Sequence, residues 1–334
     1  MTVYDVHAHL MTEEGLAAMS SCSPEMAARL VEVEGGYELH YPGRERLGPI
    51  PRSMLDVDLR LADMDERRVD VQVLAVPPPQ FHYHVDAALG QELARIQNDV
   101  AIDVSDRHPD RFHVFATLPL QDPLASVKEL ERVVEHSRVR GVEIGTNVRG
   151  ANLDAAELEP LWDALEATGV PVWVHPDQRA IAGPERLSSY YLRNLIGNPL
   201  ESTIAIACLI FGGVPERHPR LRFGFVHGGG FAPYQIGRWD HGWACRSEPS
   251  AAIPDPPSVY FRRMFFDSLT HDRSSLELLG RRVGWAQVVL GSDYPFDMAS
   301  ADPVGGVEDL HLCGADQEAV LCGNAERFLR PLQG

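Results

Sequence analysis

Eight short runs of β-forming residues, separated by stretches of helical spacing, constrain this chain more than any other feature. The runs are Val3–Val6, Val69–Val76, Phe112–Leu118, Val139–Gly145, Val170–Val174, Leu221–Val226, Tyr260–Phe266 and Val288–Leu290. Between them, apolar residues recur at helical spacing, as in Leu153–Thr168 and Pro199–Arg217. Strands alternating with helices predict a parallel sheet, and eight such units predict a closed (β/α)₈ TIM barrel. Several runs are apolar throughout, as in strands buried on both faces. A doubly wound open sheet fits the same alternation and stays open at this point. A barrel takes about 250 residues as one unit and grows by insertion. The 334 residues therefore read as one domain, 1–334.

The segment Met11–Arg52 breaks the alternation. It is rich in Glu, Gly and Pro and follows the first strand, so it reads as an insertion over the C-terminal mouth of the barrel. Ser247–Ser258 reads as a proline-rich loop, and Gln317–Leu329 as a helix packed on the barrel. The net charge of −18 argues against nucleic acid and anionic membrane surfaces. It leaves room for a small anionic substrate, because local arginines can dominate inside a pocket. The most apolar stretch, Ile204–Val214, falls short of the roughly 20 residues of a membrane span. Cys22, Cys208, Cys245, Cys313 and Cys322 are odd in number and lack metal-ligand spacing. They read as reduced thiols in a cytoplasmic protein, with no signal peptide ahead of the first strand. Lys128 is the only lysine. It lies in an amphipathic pattern, which argues against Schiff-base chemistry and against a carboxylated lysine bridging two metals.

The chemistry lies where the apolar runs end. The first run leads into Asp5-Val6-His7-Ala8-His9, and alternate strand residues share a face, so His7 and His9 point the same way. At the C-terminal end of a barrel strand, that direction is the active-site mouth. Such a pair alone is weak evidence, because most are surface or core histidines. Three further runs end in polar residues: His175 after Val174, His227 after Val226, and Asp293 shortly after Leu290. A buried strand end is costly for an unpaired imidazole or carboxylate. Three imidazoles and a carboxylate suit one divalent ion, zinc first, with Mn²⁺, Fe²⁺ or Co²⁺ as alternatives. The plainer readings are a loop histidine at 175, a helix cap at Asp293 and a core histidine at 227. His82 and His84 could line the mouth, whereas His108, His136, His218 and His311 read as solvated.

These motifs together resemble the amidohydrolase superfamily, and within it the decarboxylase branch. Further matching stretches are Met64-Asp65, Val69-Asp70-Val71-Gln72-Val73, Pro119-Leu120-Gln121-Asp122, Val174-His175-Pro176, His227-Gly228-Gly229-Gly230 with Gly237-Arg238, and Gly291-Ser292-Asp293-Tyr294-Pro295-Phe296. The likeness spans nearly the whole chain. It implies His7, His9, His175 and Asp293 as metal ligands and His227 as the catalytic histidine. It implies that Arg238 reaches across a homodimer to the neighbouring site. It matches Arg52 to a second substrate arginine, with Arg44 and Arg46 competing for that role, and places Tyr190 and Phe296 along the pocket. Glu143 stands on strand four where a lysine would be needed for two metals. The branch has an aromatic residue where this chain has Asp177, and Phe231-Ala232-Pro233-Tyr234 is similar to a related hydratase.

The resemblance implies non-oxidative decarboxylation of an unsaturated or aromatic mono- or dicarboxylic acid, such as a carboxymuconate semialdehyde. A hydratase or hydrolase of a ring-cleavage-type acid fits the same ligands. A catalytically dead metal-binding barrel with an interaction role is a third reading, disfavoured by the intact ligand set.

Overall fold

The computed structural model describes residues 1–43 and 46–330. Its centre is one eight-stranded parallel sheet: β1 (Tyr4–His9), β2 (Val71–Ala75), β3 (Phe112–Thr117), β4 (Val139–Gly145), β5 (Val172–His175), β6 (Phe223–Phe225), β7 (Phe265–Asp267) and β8 (Val288–Val289). The strands pair in chain order from β1 to β8. The ring closes just beyond β8. Val6 N–H donates to Leu290 O at 3.0 Å, Asp293 N–H donates to His7 O at 2.8 Å, and His9 N–H donates to Tyr294 O at 2.7 Å. A parallel bridge joins Ala8 to Tyr294. The open-sheet alternative is thereby excluded.

Each barrel strand presents two apolar faces. Val142, Ile144, Val172 and Val174 pack outward on the helical layer. Val6, Val73, Phe115, Trp173, Val226 and Val289 form a separate inner cluster. Phe328, from the C-terminal helix Asn324–Leu329, belongs to that inner cluster, with its ring 5.6 Å from Trp173 and 4.8 Å from Phe265. The inner cluster leaves the opposite, C-terminal end of the strands for polar side chains. Helices of the outer layer start on aspartate caps: Asp86 accepts from Leu89 N, Asp122 from Ala125 N and Asp272 from Ser275 N.

Residues 11–52 fold into a helix, Glu13–Cys22, and an antiparallel three-stranded sheet of Arg29–Val33, Gly36–His40 and Leu47–Pro51. Met11, Leu16, Met19, Leu39 and Ile50 join Leu93 and Ile96 in their own small core. This core seats the segment on the long helix Ala87–Arg107. Pro49 and Pro51 lie on an edge strand of the small sheet, where a missing N–H is tolerated.

Two expectations need correction. The seventh run begins as a helix, Pro257–Phe261, and only Phe265–Asp267 is strand. Pro257 stands in the helix's first turn, where proline is favoured. His218 is buried rather than solvated, because Glu159 lies 2.8 Å from its Nε2.

The inner cluster yields a direct expectation. Phe328→Ala should lower unfolding free energy by about 3–5 kcal/mol, measured by chemical denaturation. A loss below about 1 kcal/mol would mean that the ring does not plug the barrel.

Candidate active site

The site begins with Asp5, near the start of β1. Its carboxylate accepts from Ser292 N–H at 3.0 Å, Ser292 Oγ at 2.6 Å and Gln72 Nε2 at 3.0 Å. One buried acid thus ties β1 to β2 and to the segment after β8. Between Asp5 and Ala8 the β1–β2 register shifts by a bulge. Bulges re-aim side chains near sites. Arg60, fully buried, donates to His9 O and, at 3.0 Å, to Gln72 Oε1.

His7, His9, His175 and Asp293 converge here. One ligand atom from each lies within 4.8 Å of all the others, and all four residues are buried. Each imidazole is oriented through Nδ1: His7 by Asp267 Oδ2 at 2.7 Å, His9 by Val76 O at 3.1 Å, and His175 by Pro176 O at 2.7 Å. That leaves the three Nε2 atoms facing one another and Asp293. Asp293 Oδ1 is 3.2 Å from His7 Nε2 and 3.1 Å from His9 Nε2. His227 stands beside the group, its ring 5.2 Å from His175 and its Nε2 3.5 Å from Asp293 Oδ2.

Asp267, at the end of β7, serves two partners. Its Oδ2 orients His7, and its Oδ1 accepts Gly228 N–H at 2.8 Å, which anchors the turn carrying His227. His227 and Asp293 both have left-handed backbone, at φ 54° and 62°. Such conformations persist where the surroundings enforce them. Gly230, at φ 63°, is required for a different reason: a Cβ there would lie 2.1 Å from Pro199 O.

The charges within the group balance one another. Burial opposes a proton on His7, but Asp293 and Asp267 outweigh it and lift its pKa to about 10. Burial would raise Asp293; His7, His227 and His9 hold it well below the usual carboxylate range. Burial and the neighbouring imidazoles push His175 well down. The donors fit a divalent ion on two counts. They are the nitrogen and oxygen atoms such an ion takes, and the buried His7 and His175 Nε2 atoms make no hydrogen bond.

An open cavity of about 1000 Å³ adjoins the group. Phe296 joins the two: it lines the cavity, and its ring is 5.1 Å from that of His9. The small sheet contributes Leu39, Arg46 and Ile50 to the walls. Loops after β2, β4 and β5 contribute Tyr83, Arg149, Asp177 and Arg179. Glu201 braces the β4 and β5 loops together, accepting from Asn147 Nδ2 at 2.8 Å and Ala182 N–H at 2.6 Å.

Not every expected residue reaches this space. Arg52 points elsewhere: it pairs with Glu32 and lies 5.3 Å over the Tyr37 ring, on the exposed side of the small sheet. Arg46 lines the cavity instead, and Arg44 lies outside the described residues. Tyr190 is 87% exposed, and the adjacent Tyr191 lines the cavity in its place. Both tyrosines have left-handed backbone, at φ 58° and 59°, so strand-like or helical spacing does not predict their directions. Arg238 is exposed on the helix Ala232–Cys245 and pairs with nothing among the described residues. Sequence reasoning missed Asp267, although it too ends an apolar run. It also assigned no role to Asp5.

The fold and the site define a class. The profile of the amidohydrolase family matches residues 4–330, and the chain belongs to that family. It is 36% identical over 276 residues to 2-amino-3-carboxymuconate-6-semialdehyde decarboxylase of Dictyostelium discoideum, covering 82% of this chain and 76% of that protein. Among solved structures it resembles 5-carboxyvanillate decarboxylase from Sphingomonas paucimobilis, at 24% identity, 99% coverage of both chains and a TM-score of 0.83. It also resembles dihydroxybenzoic acid decarboxylase from Polaromonas sp. JS666, solved with manganese and 2-nitroresorcinol. That likeness has 23% identity, covers 98% of this chain and 96% of the other, and has a TM-score of 0.79.

Glu143, on β4, is fully buried, and neither carboxylate oxygen has a hydrogen-bond partner. Burial pushes its pKa well above the ordinary 4.5, against the pull of His7. The folded state therefore keeps the acid neutral where the unfolded chain ionises it, which costs stability as pH rises above about 4.5. Glutamine cannot ionise. In chelated protein, the Tm of Glu143→Gln minus that of the parent should grow between about pH 4.5 and pH 8. A flat difference would show that Glu143 does not titrate on unfolding.

Proposed function

We propose that this chain is a metal-dependent, non-oxidative decarboxylase of an unsaturated or aromatic acid, with 2-amino-3-carboxymuconate semialdehyde as the first substrate to try. One observation carries the reading: a buried three-histidine, one-aspartate group with a fourth histidine at its edge, beside a cavity lined by guanidinium groups. The names of its relatives support it.

His7, His9, His175 and Asp293 would hold one divalent ion. Three imidazoles with one carboxylate favour zinc, and the manganese of the Polaromonas structure makes that ion the second choice. When bound, such an ion supplies Lewis acidity toward a substrate oxygen. The chain's own residues do the rest. Arg238 orients a substrate carboxylate, and a forked guanidinium contact fixes its geometry. Phe296 and Tyr191 bound the space beside the ligand group. His227 holds a proton at Nε2 and delivers it to the carbon bearing the carboxylate. The C–C bond to that carboxylate then breaks, its electron pair returns to the conjugated system, and carbon dioxide leaves. A proton from solvent restores His227.

The homodimer belongs to the same reading. The helix Arg193–Phe211 is long and apolar, and less than half of it is buried inside the protein. Its Leu195 and Ile196 are exposed, as are Phe231 and the 75% exposed Tyr234 at the start of the helix Ala232–Cys245. Tyr234 and Arg238 share one helix at i,i+4 spacing. Burying this face against a second copy would carry Arg238 toward the neighbouring site. All five cysteines are free thiols, which suits a cytoplasmic setting.

Zinc-loaded protein should release carbon dioxide from freshly generated 2-amino-3-carboxymuconate semialdehyde. His227→Ala should slow this by about 10²–10⁴-fold while metal content stays at one ion per chain by elemental analysis. Chromophore loss without carbon dioxide would point to hydration on the same scaffold. No turnover from metal-loaded protein would reject this substrate.

Subunit mixing tests the shared site. His227→Ala and Arg238→Ala, each inactive alone, should regain about a quarter of parental activity after exchange, because one site in each mixed dimer is intact. Absence of recovery in a mixture shown to form mixed dimers would place Arg238 in its own subunit's site or in none.

A further inference from the structure

We propose that Arg193 is a specificity-determining residue: it takes an anionic group of the substrate other than the carboxylate that is lost. This rests on the decarboxylase reading and names the class of acid. The substrate is a ring or polyene acid bearing a second, separate anionic group.

Three of the cavity's four guanidiniums are already committed. Arg179 is held by both oxygens of Asp177, at 2.8 to 3.2 Å, and by Pro79 O at 2.6 Å. Arg149 is spent on the backbone oxygens of Tyr83 and Val85. Arg46 lies 3.6 Å from Glu38. Arg193 differs from all three. It lines the same cavity and is half-buried, and its guanidinium has no hydrogen bond or ion pair among the described residues. The chain carries 48 acidic residues against 30 basic ones, so carboxylate partners are plentiful elsewhere. A guanidinium left unpaired in a concave wall is available to an anion from solution.

The backbone around Arg193 is built to hold it there. Tyr190 and Tyr191 precede it in consecutive left-handed conformations, and Arg193–Gly197 is a π-turn that opens the helix Asn198–Phe211. Single π-turns and strained residues of this kind cluster at functional sites. Both ends of the segment are fixed. The Tyr191 hydroxyl donates to Asp297 Oδ1 at 3.3 Å, next to Phe296. Gly197 packs so closely on Ile181 that a Cβ would lie 2.7 Å from Cδ1.

The cavity leaves room for an acid whose two anionic groups stand well apart. Its volume of about 1000 Å³ is at the upper end for pockets that take drug-sized ligands. An acid spanning from the ligand group to Arg193 would use that space.

The test reads binding without turnover. Zinc-loaded protein is titrated by calorimetry with isophthalate, a naphthalene dicarboxylate and a biphenyl dicarboxylate, each against the monocarboxylate of the same ring. At one span, the dicarboxylate should bind about 10-fold or more tighter than its monocarboxylate. Arg193→Gln should bring that ratio to about one with the monocarboxylate Kd unchanged, and Arg193→Lys should restore part of it. No preference at any span would overturn the proposal. So would a preference that survives Arg193→Gln, or a variant that weakens both partners alike. Carbon dioxide release does not enter this readout, so failure of the decarboxylase reading and failure of this assignment are separately visible.

Discussion

Closure of the barrel between β1 and the Leu290–Tyr294 segment is the contact on which the site depends. His7 and His9 come from the start of the chain and Asp293 from near its end. Two backbone bonds, Asp293 N–H to His7 O and His9 N–H to Tyr294 O, bring these side chains together. Asp5 reinforces the seam from inside by accepting Ser292 N–H and Oγ. Asp293 has a left-handed backbone, which costs of order 1–3 kcal/mol. The flanking ladder bonds offset that cost, because the segment cannot relax without opening the barrel. The carboxylate is therefore aimed by the fold rather than by its own side-chain preferences.

The same seam explains how so many ionisable groups stay buried. An isolated ion in such a place would be expensive. Here Asp267 and Asp293 favour a proton on His7, while burial disfavours charge on His175 and Glu143. Positive charge is wanted at one point and excluded around it. A divalent ion meets the same demand with more charge. In this way the donors that make a metal site also make a tolerable protein core.

Much of this was legible in the sequence because strands obey a period of two. An apolar run that ends in a polar residue marks the mouth of a barrel, and His7, His9, His175, His227 and Asp293 all follow that rule. Asp267 follows it as well, one residue beyond the end of the seventh run. The rule says nothing about loops. Tyr190 and Tyr191 are adjacent, yet only Tyr191 faces the cavity, because left-handed backbone breaks the periodicity. Arg46 and Arg52 are separated by one edge strand of the small sheet, and their fates turn on whether Glu32 and Tyr37 capture the guanidinium. Neither outcome is encoded in spacing.

That division has a chemical meaning. The ligand group sits on strand ends, where neighbouring ladders fix positions tightly enough for coordination. The charged groups that would read a substrate sit on the small sheet, on the β4 and β5 loops and at a π-turn. Those elements are held by side-chain bonds such as Glu201 to Asn147 and Tyr191 to Asp297. The chain as a whole is strongly anionic, whereas the cavity wall gathers four arginines against two aspartates. A negatively charged substrate thus meets repulsion at long range and attraction only once inside the mouth. Under such a field, affinity must come from pairing specific guanidiniums with specific anionic groups, because general steering works against it. The reaction class follows from the strands, and the choice of acid follows from which arginines the loops leave unpaired.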